Sequence, residues 1–321
     1  MSAVERHAVQ HAAQSTSRPE LTLFMLVTNR DCVLAHYSIL SYRKLWKIYD
    51  SFVLEVYANC LSAENKARYL DRWRQLPYVS IRDNEADGKI ARRKGAPFTS
   101  PEGNWFRYDD NCEHYDEVWT REHQRARTPF WATVDADFEV LSPDFFPAMM
   151  STLREDPGLA GISTDYGPTY ESFDSYSNEE ILLNERWHTW CCIYRRDTAK
   201  YLSEVSSFYV ERKLPNGRRH AFDSYANVQQ HFIRNGYRMA SLPVGFQDQF
   251  IHYGAFSKNK SITEKNVRVY RRLAIASKRG LIRLPFCGRL NSLTRRIASR
   301  VFHEVFSKAV DERRVYDFES E

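Results

Sequence analysis

Asp135 and Asp137 stand one residue apart at the end of an apolar run, in the stretch FWATVDADFEVLSPDF (Phe130–Phe145). Alternate residues of an extended segment point the same way, so both carboxylates can face one site. Hard oxygen donors at that spacing suit Mg2+ or Mn2+, bound together with the oxygens of a diphosphate. A divalent ion placed there neutralises charge building on a departing phosphate. The same D-x-D pattern also arises in solvated turns and caps, so the elements around it must decide between the two readings.

Those elements alternate. LTLFMLVTN (Leu21–Asn29) is a continuous apolar run, as expected of a strand buried on both faces. A helix is expected over Cys32–Tyr49, a strand over Ser51–Asn59, an amphipathic helix over Ala63–Leu76 and a third strand over Tyr78–Asp83. This alternation implies parallel pairing through right-handed crossovers. Asn84–Asn111 is polar and punctuated by Gly and Pro, the pattern of a long loop or an insertion. A helix over His114–Arg127 stops at Thr128-Pro129, and the fourth strand, FWATV, delivers the two aspartates. In an open parallel sheet ligands bind beyond the carboxyl ends of the strands, which puts the pair on that rim.

Further on, SPDFFPAMMSTLRED is read as a helix with Ser142 as N-cap and Pro143 in its first position. LAGIST and WHTWCCIYRRD are strand candidates, and YGPTYESFDSYSNEE (Tyr166–Glu180) is an acceptor-binding loop or a surface excursion. Phe222–Tyr237 is a helix closed by Asn235-Gly236, RMASLP is a late strand, and DQFIHYGAFSK is coil-like.

Composition narrows the classes. The chain has 321 residues, 43% of them hydrophobic, and no apolar window long enough to span a bilayer. The first twenty residues lack a basic segment followed by an apolar run, so no secretory signal is read and a cytoplasmic protein is expected. Six scattered cysteines form no C-x-x-C pair, which argues for free thiols over zinc or a disulfide framework. The net charge of +5 hides an asymmetry: Lys258–Lys308 carries 14 Lys/Arg against two acids, leaving 32 basic and 39 acidic residues elsewhere.

Asp135-Ala136-Asp137, preceded by RARTPFWATV and followed by FEVLSPDFF, resembles the nucleotide-sugar-binding core of the GT-A-fold glycosyltransferases. The likeness is closest to their inverting family 2-like group and runs from about Leu21 to Gly254. It implies an α/β fold, GT-A-like, with a mostly parallel central sheet flanked by helices. The domains expected are a leader (1–20), the transferase domain (21–257) and a basic, helical C-terminal extension (258–321). It also implies a nucleoside-diphosphate sugar donor and transfer to an acceptor hydroxyl with inversion. Thr28 and Asn29 would approach the nucleoside, and Asn59 and Asp83 the base. Asp135 would contact the ribose or the metal, and Asp137 would bind Mn2+ or Mg2+ directly.

Inverting transfer needs a carboxylate to take the acceptor's proton. In the resembled family this residue opens the helix ahead of an R…G-Y-R stretch, which points here to Asp223 in FDSYANVQQHFIRNGYR. The same aspartate also suits a helix N-cap. By the same resemblance His252 closes the site as a metal ligand or diphosphate contact, the other reading being a structural histidine. Trp187, His188 and Trp190 lie on the acceptor side, where indole faces stack on sugars, or else pack in the core.

Asn291–Val310 places Leu293, Ile297, Val301 and Val305 on one helical face flanked by arginines. Such a helix can pack on the domain or lie on an anionic membrane. No nucleic-acid module accompanies the charge. A retaining enzyme of the same fold and a non-catalytic protein with a relic site are the alternatives. A nucleotidylyltransferase is disfavoured, because VTNRDCVLAH lacks the Gly-rich phosphate loop such enzymes need.

Overall fold

The computed structural model describes residues 18–29, 31–84, 99–100, 103–104, 115–174, 179–204, 210–222, 225–253, 267–268, 271–272 and 275. Seven strands form the central sheet: β1 (Leu21–Val27), β2 (Phe52–Ala58), β3 (Val79–Asp83), β4 (Phe130–Val134), β5 (Leu159–Ser163), β6 (Cys191–Arg195) and β7 (Arg238–Ser241). Their order across the sheet is β3-β2-β1-β4-β6-β5-β7. All pairings are parallel except those of β6, which runs against both β4 and β5. This is the mostly parallel α/β sheet that the alternating pattern predicts.

Why β1 and β4 sit centrally follows from their sequences. Leu21, Leu23, Phe24, Met25 and Val27 are buried, as are all five residues of FWATV. Four longer helices cover the sheet: α1 (Cys32–Ser41), α2 (Tyr115–Arg125), α3 (Phe145–Glu155) and α4 (Ala226–Arg234). One apolar cluster joins Ile39, Phe145, Phe146, Met149 and Leu153 to the β1, β2 and β4 side chains. A second lies around Trp131, Tyr194, Tyr225 and Phe232. Within it His123 stacks on Trp131 with ring centroids 4.7 Å apart.

Several boundaries differ from expectation. The helix expected over Cys32–Tyr49 breaks at Tyr42, whose ring is buried edge-on to Phe146, and resumes as Arg43–Trp46. Ala63–Arg74 is helical but widened by a π turn at Lys66–Leu70. Helix α3 starts at Phe145 rather than at Pro143, because the Ser142 hydroxyl donates to the Asp144 carboxylate (2.7 Å) instead of capping. Gly236, with φ +85°, closes α4 as expected.

Two parts expected to be irregular are strands. Tyr170–Asp174 and Glu179–Leu183 form a hairpin in a second, four-stranded sheet with Val210–Lys213 and Arg219–Phe222. Phe250–His252, expected to be coil, pairs antiparallel with Phe138–Val140. Asp223, Gly254 and Asn291–Val310 lie outside the described residues. Among those described, no helix is long and apolar enough to cross a membrane.

Candidate functional site

The 138–140 and 250–252 pair brings the site together. Phe138 is opposite His252, and the Tyr253 amide donates to the Asp137 carbonyl at 3.1 Å, so the ladder runs past both functional residues. Phe138 and Phe250 stack on the same face of the pair as His252, at 5.0 Å between centroids, while Glu139 and Ile251 lie on the other face. His252 Nε2 thereby lies 3.3 Å from Asp135 Oδ2 and 3.2 Å from Asp137 Oδ1. Asp135, anchored by its amide to the Trp190 carbonyl (2.9 Å), is the more exposed carboxylate, at 28% against 8% for Asp137.

Electrostatics couple the three. Burial alone would lower the His252 pKa, but hydrogen bonds and charge from Asp135 and Asp137 outweigh it and push it up to about 9. Burial raises the Asp137 pKa, opposed by the hydrogen bond from His252. In this arrangement a proton on Nε2 is shared between two carboxylates.

The donor set fits a divalent cation. One atom from each residue lies within 4.8 Å of the others. Ligands about 2.1 Å from a six-coordinate ion are separated by about 3 Å along a cis edge, close to both His–Asp distances seen here. Two carboxylates with one imidazole favour Mn2+ over Mg2+, which prefers oxygen alone. The imidazole would have to give up its proton to bind the ion.

Aromatic rings hold the histidine from behind. Trp190 stacks on His252 with centroids 4.1 Å apart and planes 19° from parallel, and on His188 at 4.1 Å and 13°. Burial, helped by the Arg186 charge, lowers the His188 pKa to about 4, so this outer ring is neutral. Of the three acceptor-side candidates, His188 and Trp190 thus join the site. Trp187 does not: its backbone exchanges hydrogen bonds with the Gln229 side chain, and its ring lies beside Tyr166.

The remaining rim candidates lie at the exits of β1, β2 and β3, bound into a local network. The Thr28 hydroxyl donates to Asp31 Oδ2 at 2.6 Å. Asn29 Nδ2 donates to the Cys60 carbonyl, while its Oδ1 accepts from the Ser62 amide and from Asn65 Nδ2. Buried Asn59 accepts from Asn84 Nδ2 at 2.7 Å, and Asp83 pairs with Lys66 at 2.9 Å. Cys60 has φ +55°, a left-handed conformation without glycine, of the kind that concentrates at functional sites. Among the described residues Tyr225, with φ +65°, shares this conformation, and it directly precedes α4.

Sequence reasoning missed Asp31. Burial, together with the charges of Asp137 and Asp135, raises its pKa to about 6 despite two hydrogen bonds from Thr28. Its place just after the first strand's exit is the signal that could have found it.

No protein-family model and no curated protein sequence matches this chain. Solved structures do match. The chain is similar to the mannosyltransferase PcManGT from Pyrobaculum calidifontis, in complex with GDP-Man and Mn2+, at 12% identity and a TM-score of 0.41, covering 96% of this chain and 93% of that one. Glucosyl-3-phosphoglycerate synthase from Mycobacterium tuberculosis, in complex with Mn2+, UDP and glucosyl-3-phosphoglycerate, matches at 11% and 0.39, covering 83% and 81%. CMP:2-keto-3-deoxy-manno-octonic acid synthetase, complexed with CTP, matches at 8% and 0.39, covering 71% and 90%. Likeness at this level carries no argument about activity, which rests on the site's own chemistry.

Proposed function

We propose that the protein is a metal-dependent glycosyltransferase that moves a sugar from a nucleoside diphosphate to an acceptor hydroxyl, with inversion. The observation that carries the reading is the convergence of Asp135, Asp137 and His252 on one point at the carboxyl rim of a mostly parallel sheet. Their donors would hold Mn2+, or Mg2+ with more water, against the donor's diphosphate. The ion supplies positive charge where the departing nucleoside diphosphate accumulates negative charge. Asp137, the more buried carboxylate, fixes the position, and Asp135 remains open toward solvent and the incoming nucleotide.

Asp31, at the exit of β1, feels the charges of Asp137 and Asp135, and its own negative charge adds to the demand for a counter-cation when a diphosphate binds. The Thr28–Asn29 and Asn59–Asn84 network shapes the adjacent rim on which the nucleoside would lie. Asp223, in sequence between the 219–222 strand and α4, is assigned as the base that takes the acceptor's proton. The glycine-free turn after β1 favours this reading over nucleotidyl transfer.

The test is calorimetric titration of nucleoside diphosphates with and without Mn2+. Asp137→Ala is expected to abolish the Mn2+-dependent component, and equal binding by that variant removes the donor site. Asp223→Asn is expected to keep donor binding while losing transfer in a nucleotide-sugar screen. Full turnover by that variant removes Asp223 as the base.

A further inference from the structure

The strand pair that sets the distance between Asp137 and His252 is only three residues long on each side. A two-stranded ribbon of that length does not hold itself in water. Helix α1 grips one edge: the Ser38 hydroxyl donates to the Phe138 carbonyl, and Ser41 Oγ accepts from the Val140 amide at 2.9 Å. The other anchor comes from more than a hundred residues further along the chain.

Glu139 is two residues from Asp137 and lies opposite Ile251, next to His252. Its side chain is 1% exposed. Into that carboxylate Tyr253 donates its hydroxyl at 2.6 Å, while Arg271 donates Nε at 2.7 Å and Nη2 at 2.5 Å. The Arg271 guanidinium also lies 4.7 Å from the centroid of the Tyr37 ring on α1. Two neighbouring contacts seat the segment: Val267 is buried with Leu34, Ile251 and Tyr253, and Arg268 Nε donates to the Tyr37 hydroxyl at 3.1 Å.

We propose that Arg271 is a positioning residue for the metal centre, its fork on Glu139 locking the strand pair that holds Asp137 and His252 at coordination distance. A bidentate guanidinium fixes direction as well as charge. Glu139 is one residue from Phe138 on one strand and Tyr253 is one residue from His252 on the other, so the carboxylate that receives both the fork and the Tyr253 hydroxyl ties the two strands together. Val267, Arg268 and Arg271, which fall in the stretch read from sequence as a basic C-terminal extension, thereby become part of the site's scaffold.

This inference rests on the metal reading above, and the experiment separates the two. Full-length wild type, Arg271→Met, Arg271→Lys and the double variant Glu139→Gln/Arg271→Met are titrated calorimetrically with Mn2+ alone. Thermal unfolding and the imidazole nitrogen coupling to bound Mn2+ in pulsed electron paramagnetic resonance are measured alongside. Arg271→Met is expected to bind Mn2+ about 10-fold more weakly, the low end of the range for groups that hydrogen-bond metal ligands directly, because Arg271 acts one contact further out. The double variant leaves no unpaired buried charge, so it is expected to regain stability without regaining affinity or nitrogen coupling. Arg271→Lys, which keeps the charge but not the fork, is expected to fall between wild type and Arg271→Met. Wild-type affinity in Arg271→Met, or full affinity in the double variant, overturns the positioning role while leaving the metal centre intact. Failure of the wild type to bind Mn2+ overturns both.

Discussion

Trp190→Ala removes the ring between His188 and His252 but keeps the backbone carbonyl that receives the Asp135 amide. The substitution therefore isolates the stack. Each of the two ring pairs, at 4.1 Å, contributes about 0.5–1.5 kcal/mol beyond the area it buries. Losing both costs about 1–3 kcal/mol of folding stability. The His252 half, about 1 kcal/mol, orients the imidazole toward Asp135 and Asp137, and converts to roughly fivefold weaker Mn2+ binding. Trp190→Phe, which keeps a planar ring, is expected to recover most of that loss. The assay is calorimetric Mn2+ titration paired with urea unfolding of the same variants. A Trp190→Ala protein that loses stability yet binds Mn2+ as the wild type does would show that the stack merely fills space.

Two further expectations concern the scaffold. Burial holds His123 neutral, with its pKa lowered to about 4. Its unfolded value is about 6.5, so below that pH the unfolded chain takes up a proton that the native state does not. Its stabilising contribution is complete above about pH 6.5 and is lost on acidification, by about 3 kcal/mol near pH 4. Urea unfolding of wild type and His123→Gln from pH 7 to 4.5 reads this out, and a pH-independent difference contradicts it. At Gly161, an added Cβ would sit 2.7 Å from the Ile193 carbonyl and 2.9 Å from Tyr194 Cδ1. Gly161→Ala is expected to cost about 1–3 kcal/mol in thermal unfolding, and an unchanged midpoint would mean that the sheet yields freely there.

What the sequence disclosed is local. LTLFMLV and FWATV are short continuous apolar runs bounded by polar residues, the form that burial on both faces gives a strand, so β1, β4 and the strand-exit position of Asp135 and Asp137 were readable. His252 was readable as a candidate through family likeness, but its route to the aspartates was not. A three-residue strand has no periodicity to detect, and its partner lies about 110 residues earlier. Asp31 escaped because nothing in VTNRDC marks a single acid as feeling the charge of two others far along the chain. Arg271 sits in a basic stretch where charge pattern describes a surface, whereas this guanidinium binds a buried carboxylate. The hairpin at Tyr170–Leu183 was hidden by polar residues in both strands.

The reversed direction of β6 has an evolutionary corollary. β5 ends and β6 begins at the carboxyl rim of the sheet, beside Asp135, so the connection from Ser163 to Cys191 needs no crossover. That excursion already supplies the Trp190 ring that stacks on His252, the His188 ring behind it, and two strands of the second sheet. It can be lengthened or shortened while all seven strands of the central sheet keep their neighbours. Diversification of what the protein accepts would be cheapest there.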